Sequence, residues 1–105
     1  MESHTTIEED LEEALRLKDY DFFMEMLMDE CGEVLKRRIM YYSSGFLTID
    51  EMKEVYQKAM IEVFRTVRKP DFDNHRPLAF VNHLVKQRTL DARRSKGRQK
   101  LSTNT

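Results

Sequence analysis

The sequence of 105 residues suffices for one small domain, with 40% hydrophobic and 35% charged residues. Its 3 glycines and 2 prolines offer little turn chemistry for hairpins, so the composition favours helices over a sheet. No apolar run approaches the roughly 20 residues that span a bilayer, and the first residues lack the features of a signal peptide. A single cysteine, Cys31, excludes an internal disulfide, and we expect a cytoplasmic protein with no membrane partner.

The net charge of −1 conceals a division between the two halves of the chain. Residues 1–54 hold 15 acidic against 6 basic side chains, whereas residues 55–105 hold 4 against 12. This separation predicts an anionic partner for the basic half. For the acidic half it predicts either simple solvation or a basic partner.

The first two amphipathic segments cover residues 7–18 and 20–42. A capping box is predicted between Thr6 and Glu9, and Gly45 lies where the second segment should stop. The acidic outer face of the first segment is interpreted as solvated, or else as a shield for a basic surface or a contact with a basic partner. The predicted apolar stripes are Ile7, Leu11, Ala14, Leu15 and Leu17, then Phe23, Met26, Leu27, Cys31, Val34, Leu35 and Ile39.

Two residues inside the second segment carry specific expectations. Gly32 costs a helix about 1 kcal/mol relative to alanine, so we expect close helix packing there. Cys31 lies on the apolar stripe among acidic neighbours, which favours a buried and unreactive thiol.

The third segment covers residues 48–68 and has the clearest start, because Thr48 and Glu51 fit a capping box. Pro70 ends this helix, and Pro77 opens the fourth at its first turn. The predicted core residues of these segments are Met52, Val55, Tyr56, Ala59, Met60, Val63, Phe64 and Val67, then Phe80, Val81, Leu84 and Val85.

We therefore predict an all-α fold, a compact bundle of three main helices plus a short N-terminal helix. Residues 1–18 form an acidic N-terminal extension, residues 19–100 the helical domain, and residues 101–105 a tail or the start of a linker.

Motifs for catalysis and metal binding are missing from the sequence. There is no glycine-rich phosphate loop, no closely spaced cysteine pair and no His-Glu-x-x-His pattern. The histidines His4, His75 and His83 are scattered, and the acidic residues face outward from helices. We expect no enzyme, no cofactor and no metal site.

Chemistry suited to nucleic acids is present near the end of the chain. Seven basic residues lie between Lys86 and Lys100, and Asp91 is the only acidic residue among them. This run can track phosphates, or it can be a solvated and partly disordered tail. Nearby flat, amide and guanidinium groups can stack on unpaired bases or hydrogen-bond to bases and phosphates. They are Phe72, Asn74, His75, Asn82, His83, Gln87, Arg88, Arg93 and Arg94.

Two stretches resemble the second conserved region of bacterial RNA polymerase sigma factors, in the form used by the extracytoplasmic-function group. Residues 54–65, E-V-Y-Q-K-A-M-I-E-V-F-R, resemble the helix pattern D-L-V-Q-E-V-F-L-x-x-W-R. Residues 77–94, P-L-A-F-V-N-H-L-V-K-Q-R-T-L-D-A-R-R, resemble F-x-x-W-L-x-x-I-x-x-N-x-x-x-D-x-x-R, the segment that melts promoters and reads the minus-ten element. The resemblance covers residues 20–100.

The resemblance implies a role for each of these stretches. The third helix would dock on the clamp helices of the polymerase β′ subunit through Glu54, Gln57, Lys58 and Ile61. The fourth helix would separate and read the non-template strand, and the loop before it would receive a flipped base. The implied DNA contacts are Phe72, Asn74 and His75 in the loop, Phe80, Asn82, His83, Lys86 and Gln87 on the helix, and Arg93, Arg94 and Lys96 on phosphates.

The chain departs from the family pattern at several positions. Lys58 stands where the family has glutamate, Phe64 and Phe80 stand at its tryptophans, and Gln87 stands at its asparagine. No fourth conserved region follows in this sequence, so the chain is a reduced domain, a partner supplies that half, or a sigma-like protein has another task.

The predicted function is transcription initiation, with binding of core RNA polymerase and recognition and melting of the minus-ten promoter element. An anti-sigma factor, or a subunit supplying the fourth region, is a further expected partner. Two alternatives stay open. One is a sigma-like regulator that binds polymerase or a partner sigma subunit without reading DNA. The other is a generic helical nucleic-acid-binding protein.

Overall fold

The computed structural model describes the backbone of residues 6–103 and the side chains of residues 6–97. The described chain contains four helices and no strand: α1 (Ile7–Arg16), α2 (Tyr20–Ser43), α3 (Ile49–Val67) and α4 (Pro77–Thr103). The predicted all-α bundle of three main helices plus a short N-terminal helix is confirmed. His4, the other residues before Thr6 and the last two residues of the predicted tail lie outside the described residues.

Each of the first three helices begins at a side-chain cap. The hydroxyls of Thr6 and Thr48 accept hydrogen bonds of 3.1 Å from the backbone N–H groups of Glu9 and Glu51, and each glutamate closes the box in return. The carboxylate of Asp19 caps α2. These caps satisfy N–H groups that have no partner within the helix, and both predicted capping boxes are confirmed.

The helix ends follow the turn residues of the sequence. After α2, Ser44 and Gly45 adopt φ angles of 52° and 82°, a left-handed conformation that glycine accepts without steric cost. The third helix ends at Val67, shortly before Pro70, and Pro77 is the first residue of α4 as predicted.

The fourth helix continues through Thr103, beyond the predicted domain boundary at Lys100. The tail expected from residue 101 therefore begins as helix, because no proline or other stop signal lies between Lys100 and Thr103. Of the helices that the structure describes, none is both long enough and apolar enough to cross a membrane.

All four helices contribute to one continuous core, and α2 packs against each of the other three. Most of the predicted stripe residues are buried, and Phe80 packs half-buried against the core. The fully buried side chains include Leu11, Leu15, Phe23, Leu27, Leu35, Ile39, Val63, Val67, Val81 and Val85.

The prediction of burial is wrong for two residues of the apolar stripes. Leu17 is 68% exposed, because α1 ends at Arg16 and the chain turns away from the helical stripe. Val34 is 46% exposed, since the core-facing line of α2 advances in four-residue steps through Leu35 and Ile39 and leaves Val34 on its flank.

Helices α2 and α3 pack closely at Gly32. A Cβ atom at Gly32 would lie 3.1 Å from the hydroxyl oxygen of Tyr56, which confirms the predicted close packing. The neighbouring Cys31 is 7% exposed. Burial, with the charges of Glu30 and Glu8, raises the pKa of its thiol, as expected for an unreactive core cysteine.

Candidate functional site

The outer face of α3 carries all four residues predicted to bind polymerase. Glu54, Gln57, Lys58 and Ile61 are exposed, and their spacing places them side by side on the helix. The ammonium of Lys58 lies 3.1 Å from a carboxylate oxygen of Glu54, a surface pair that adds little to stability. Ile61 is 51% exposed, so this polar face has an apolar side chain available to a partner.

Two open grooves between α2 and α3 border this face. The first has a volume of about 500 Å³, and Gln57 lies on its wall. The second has a volume of about 840 Å³ and borders Ile61. Their apolar walls are rich in methionine, a flexible side chain that adapts to irregular partner surfaces. The apolar lining residues include Ile39, Met40, Ile49 and Met52 in the first groove and Met24, Met28, Met60 and Phe64 in the second.

The loop of residues 68–76 combines exposed polar side chains with a pair of half-buried aromatic rings. The rings of Phe72 and Phe80 meet edge to face with centroids 5.2 Å apart, and both are half-buried. Asn74 and His75 are exposed, and the backbone N–H of His75 donates to the carboxylate of Asp73 over 2.9 Å. The two phenylalanines therefore pack against the core, whereas Asn74 and His75 are among the exposed residues of the loop.

Two carboxylates of α1 cap the start of α4. Glu12 accepts a hydrogen bond of 2.9 Å from the backbone N–H of Arg76, and Glu8 accepts one of 3.0 Å from that of Leu78. Glu12 also lies 3.6 Å from Nδ1 of His75. A helix start has unpaired N–H groups and a positive dipole end, so carboxylates suit it well. The interpretation of the acidic face as simply solvated is therefore wrong for Glu8 and Glu12.

Several basic residues of α4 are already paired within the chain. Arg88 donates two hydrogen bonds of 2.8 Å to Glu62, and the ammonium of Lys96 lies 2.8 Å from Glu51. Asp91 is the only acidic residue within the basic run itself, and in the structure two carboxylates of α3 oppose the run as well. The helical spacing of α3 directs Glu51 and Glu62 toward α4, a relationship that the sequence of α4 alone does not reveal.

The ion pairs change the acidity of their carboxylates. Hydrogen bonds from Arg88 lower the pKa of Glu62, and a hydrogen bond from Lys96 lowers the pKa of Glu51. Asp91 accepts further hydrogen bonds of 2.9 Å from Arg88 and 3.1 Å from Arg94. These three cations are therefore partly neutralised before any polyanion arrives.

Lys86 and Arg93 have a different environment, made of aromatic rings and a carbonyl. The ammonium of Lys86 lies 5.5 Å from the ring centroid of Tyr42, and the guanidinium of Arg93 lies 4.6 Å from that of Phe46. Arg93 also donates a hydrogen bond of 2.9 Å to the carbonyl oxygen of Tyr42. Tyr41 packs edge to face on Tyr42, with centroids 5.2 Å apart. We call Tyr41, Tyr42, Phe46, Lys86 and Arg93 the aromatic-basic surface.

The remaining predicted DNA contacts on α4 differ in accessibility. His83 is exposed on the outer side of the helix, whereas Asn82 and Gln87 are half-buried. Arg98 and Lys100, the last two cations of the basic run, have side chains outside the described residues.

Sequence reasoning missed the three aromatic residues Tyr41, Tyr42 and Phe46. Their clustering around the predicted turn at Gly45 was the available signal. The contact with Lys86 and Arg93 depends on how α2 packs against α4, which periodicity does not determine.

No group of three histidine, cysteine or carboxylate side chains in the described part of the chain is placed to hold a metal ion. Comparison of the chain with protein-family models, with curated proteins and with solved structures gave no match.

Proposed function

We propose that this chain acts in transcription initiation as a domain like the second conserved region of sigma factors. In this proposal α3 binds core RNA polymerase, and the loop of residues 68–76 together with α4 binds promoter DNA. The observation that carries the proposal is the separation of two exposed faces on one small bundle. Glu54, Gln57 and Lys58 form a polar face on α3 that ends at the exposed apolar side chain of Ile61, while Lys86 and Arg93 lie beside the end of α2.

The α3 face has the make-up of a protein-binding surface. Ile61 lies among charged and amide side chains. One apolar groove borders the face at Gln57, and the other borders it at Ile61. Protein interfaces combine exposed apolar side chains of this kind with polar neighbours. A helical partner laid across this face can bury Ile61 while Glu54, Gln57 and Lys58 fix its position.

The loop and α4 have groups suited to an opened DNA strand. Asn74, His75 and His83 are exposed donors and acceptors, which can hydrogen-bond to the edges of unpaired bases. Lys86 and Arg93 supply positive charge for phosphates. Extruding a base costs stacking energy, and contacts of this kind offset that cost.

A second candidate is a regulator that binds polymerase without reading DNA. The ion pairs of α4 favour it, because Arg88, Arg94 and Lys96 all contact carboxylates of the same chain. A preference for one minus-ten sequence, measured with opened promoter DNA and the polymerase complex, separates the two candidates. Sequence-dependent binding supports the first, and binding that ignores the minus-ten sequence supports the second.

The experiment that tests polymerase binding is a pull-down of purified core RNA polymerase with the wild type and with Glu54→Arg/Gln57→Ala. We expect the wild type to retain the polymerase at near-physiological salt and the double variant to lose it. Both side chains are exposed, so the variant should keep its fold, as judged by circular dichroism.

The matched control is Glu13→Arg/Leu17→Ala, which reverses one charge on α1 and truncates the exposed side chain that follows the helix. Leu17 is 68% exposed, so this control also spares the core. Polymerase binding should persist in the control. Absence of wild-type binding, or equal loss in both variants, would exclude α3 as a specific docking face.

A further inference from the structure

We infer that the aromatic-basic surface is a stacking platform for unpaired bases of single-stranded DNA, separate from the loop of residues 68–76. The inference rests on the proposed function for the choice of promoter DNA among polyanions. It assigns a DNA-binding role to Tyr41, Tyr42 and Phe46, which the family resemblance did not include.

The exposure of the rings is the first argument. Tyr41, in the last turn of α2, is 78% exposed, and Phe46, in the turn between α2 and α3, is 59% exposed. Large aromatic side chains normally gain free energy by leaving water. Rings held at the surface beside cations offer π-faces to a flat ligand, and every nucleobase has such a face.

The arrangement of the cations is the second argument. Lys86 and Arg93 belong to one stripe of α4 at alternating three- and four-residue spacing, with His83, Leu90 and Gly97. Seven residues of helix place the backbone positions of Lys86 and Arg93 about 10 Å apart along the helix axis, which matches roughly three stacked nucleotides at 3.4 Å each. One strand can therefore contact both cations while its bases reach the rings.

The cleft between Phe46 and α4 is the third argument. Its volume is about 560 Å³, and its walls include Phe46, Leu90 and Arg93. Gly45 and Gly97 both border it, and a Cβ at either position would meet no atom within 4 Å. An apolar floor with a cationic rim suits a base together with its phosphate.

The rings distinguish single-stranded DNA from two other polyanions. An acidic peptide would use Lys86 and Arg93 but has no reason to need Tyr41 or Phe46. Duplex DNA hides its base faces within the stack, so it would also depend on the cations rather than the rings. If this site is a stacking platform, binding of single-stranded DNA should therefore require the rings, and binding of the other two polyanions should not.

The test measures binding of the full chain to a fluorescein-labelled single strand and to the corresponding duplex, by fluorescence anisotropy at low salt. We expect Tyr41→Ala/Phe46→Ala to weaken single-strand binding by about tenfold or more, with little effect on the duplex. Lys86→Ala/Arg93→Ala should weaken binding to both. A 2-aminopurine base in the strand should lose fluorescence on the wild type, as a stacked base does, and not on the ring variant.

The matched control is Leu17→Ala/Phe22→Ala, which removes two exposed apolar side chains, 68% and 51% exposed, outside the surface. It should bind the single strand like the wild type. Equal urea midpoints for all variants would show that the fold is intact. The inference is overturned if the wild type does not bind the single strand, if the ring variant binds it like the wild type, or if the ring variant loses strand and duplex binding equally.

Failure of this inference is distinguishable from failure of the proposed function. Ring variants that retain core polymerase but bind the single strand like the wild type would overturn the platform alone. A wild type that needs its rings for the single strand but does not retain polymerase would support the platform and contradict the sigma-like role.

Discussion

The guanidinium of Arg88 donates two parallel hydrogen bonds of 2.8 Å to the carboxylate of Glu62 and thereby joins α4 to α3. Each side chain is 40% exposed, so the pair lies at the rim of the helix contact. The planar fork of arginine matches a carboxylate in a way that lysine cannot reproduce. Arg88 was predicted as a DNA contact, and in the structure it holds two helices together.

We expect Glu62→Gln to lower the free energy of unfolding by roughly 0.5–1 kcal/mol near neutral pH, because it removes the charge of a partly exposed, bidentate pair. Arg88→Lys should cost a similar amount, since lysine cannot form both hydrogen bonds. Urea denaturation at low salt measures both effects. The control is Glu54→Gln, which breaks an exposed pair within α3 and should cost only a few tenths of a kcal/mol. Equal losses of stability in all three variants would contradict a specific role for the Arg88–Glu62 pair in joining α3 to α4.

The same pairs predict how stability changes with pH. Arg88 lowers the pKa of Glu62, and Lys96 lowers the pKa of Glu51. A carboxyl whose folded pKa is lowered contributes stability above its unfolded pKa, about 4.3 for glutamate, and that stability is lost as the pH falls through the folded value. The wild type should therefore lose more stability between about pH 5 and pH 3 than Glu62→Gln does. Urea midpoints that fall by the same amount in the wild type and in Glu62→Gln across this pH range would contradict the prediction.

We expect Glu8→Ala/Glu12→Ala to destabilise the start of α4. The double change leaves the N–H groups of Arg76 and Leu78 without their carboxylate partners, at a cost of roughly 1–2 kcal/mol. Hydrogen exchange at those two amides should accelerate more than exchange in the core of α2, because the loss is local.

The control for this prediction is Glu13→Ala on the same helix. The carboxylate of Glu13 pairs with Arg16 within α1, so its removal should leave exchange at the start of α4 unchanged. Equal acceleration in the control would mean that α1 as a whole, rather than its two capping carboxylates, stabilises this region.

The contact at Gly32 predicts a coupling between two substitutions. Gly32→Ala gains helix propensity of about 1 kcal/mol, but its Cβ would lie 3.1 Å from the Tyr56 hydroxyl oxygen. In a Tyr56→Phe background that oxygen is gone, so the gain should be larger by roughly 0.5 kcal/mol. Urea denaturation of the four proteins in this double-mutant cycle gives the coupling, and an additive result would contradict the close contact.

The two groups of cations on α4 should differ in their effect on salt dependence. We expect Lys86→Ala and Arg93→Ala each to reduce the slope of log affinity against log salt by about one for single-stranded DNA, because each removes one phosphate contact. Arg88→Ala should leave the slope nearly unchanged, since Arg88 is already bound to Glu62. Anisotropy titrations at several salt concentrations measure the slopes. A slope that falls by a full unit in Arg88→Ala would contradict the division of the α4 cations into paired and available groups.

The sequence was sufficient for features that depend on neighbours along the chain. Thr6 with Glu9 and Thr48 with Glu51 predicted two helix starts, and Pro77 predicted a third, because caps and proline act within one turn of helix. The apolar spacing identified the buried face of α3 from Val55 to Val67. The apolar spacing was less reliable where a helix ends, and Leu17 was therefore predicted to be buried although it is exposed.

Only the tertiary structure decided which charges and rings meet. Glu62 and Arg88 lie 26 residues apart in sequence, and Tyr42 and Arg93 lie 51 apart, so periodicity within a helix says nothing about either contact. The packing of α2, α3 and α4 brought carboxylates to one side of the basic helix and aromatic rings to another. Because a paired cation is already partly neutralised and a cation over a ring is not, this packing determines which of the basic residues stay available for a polyanion.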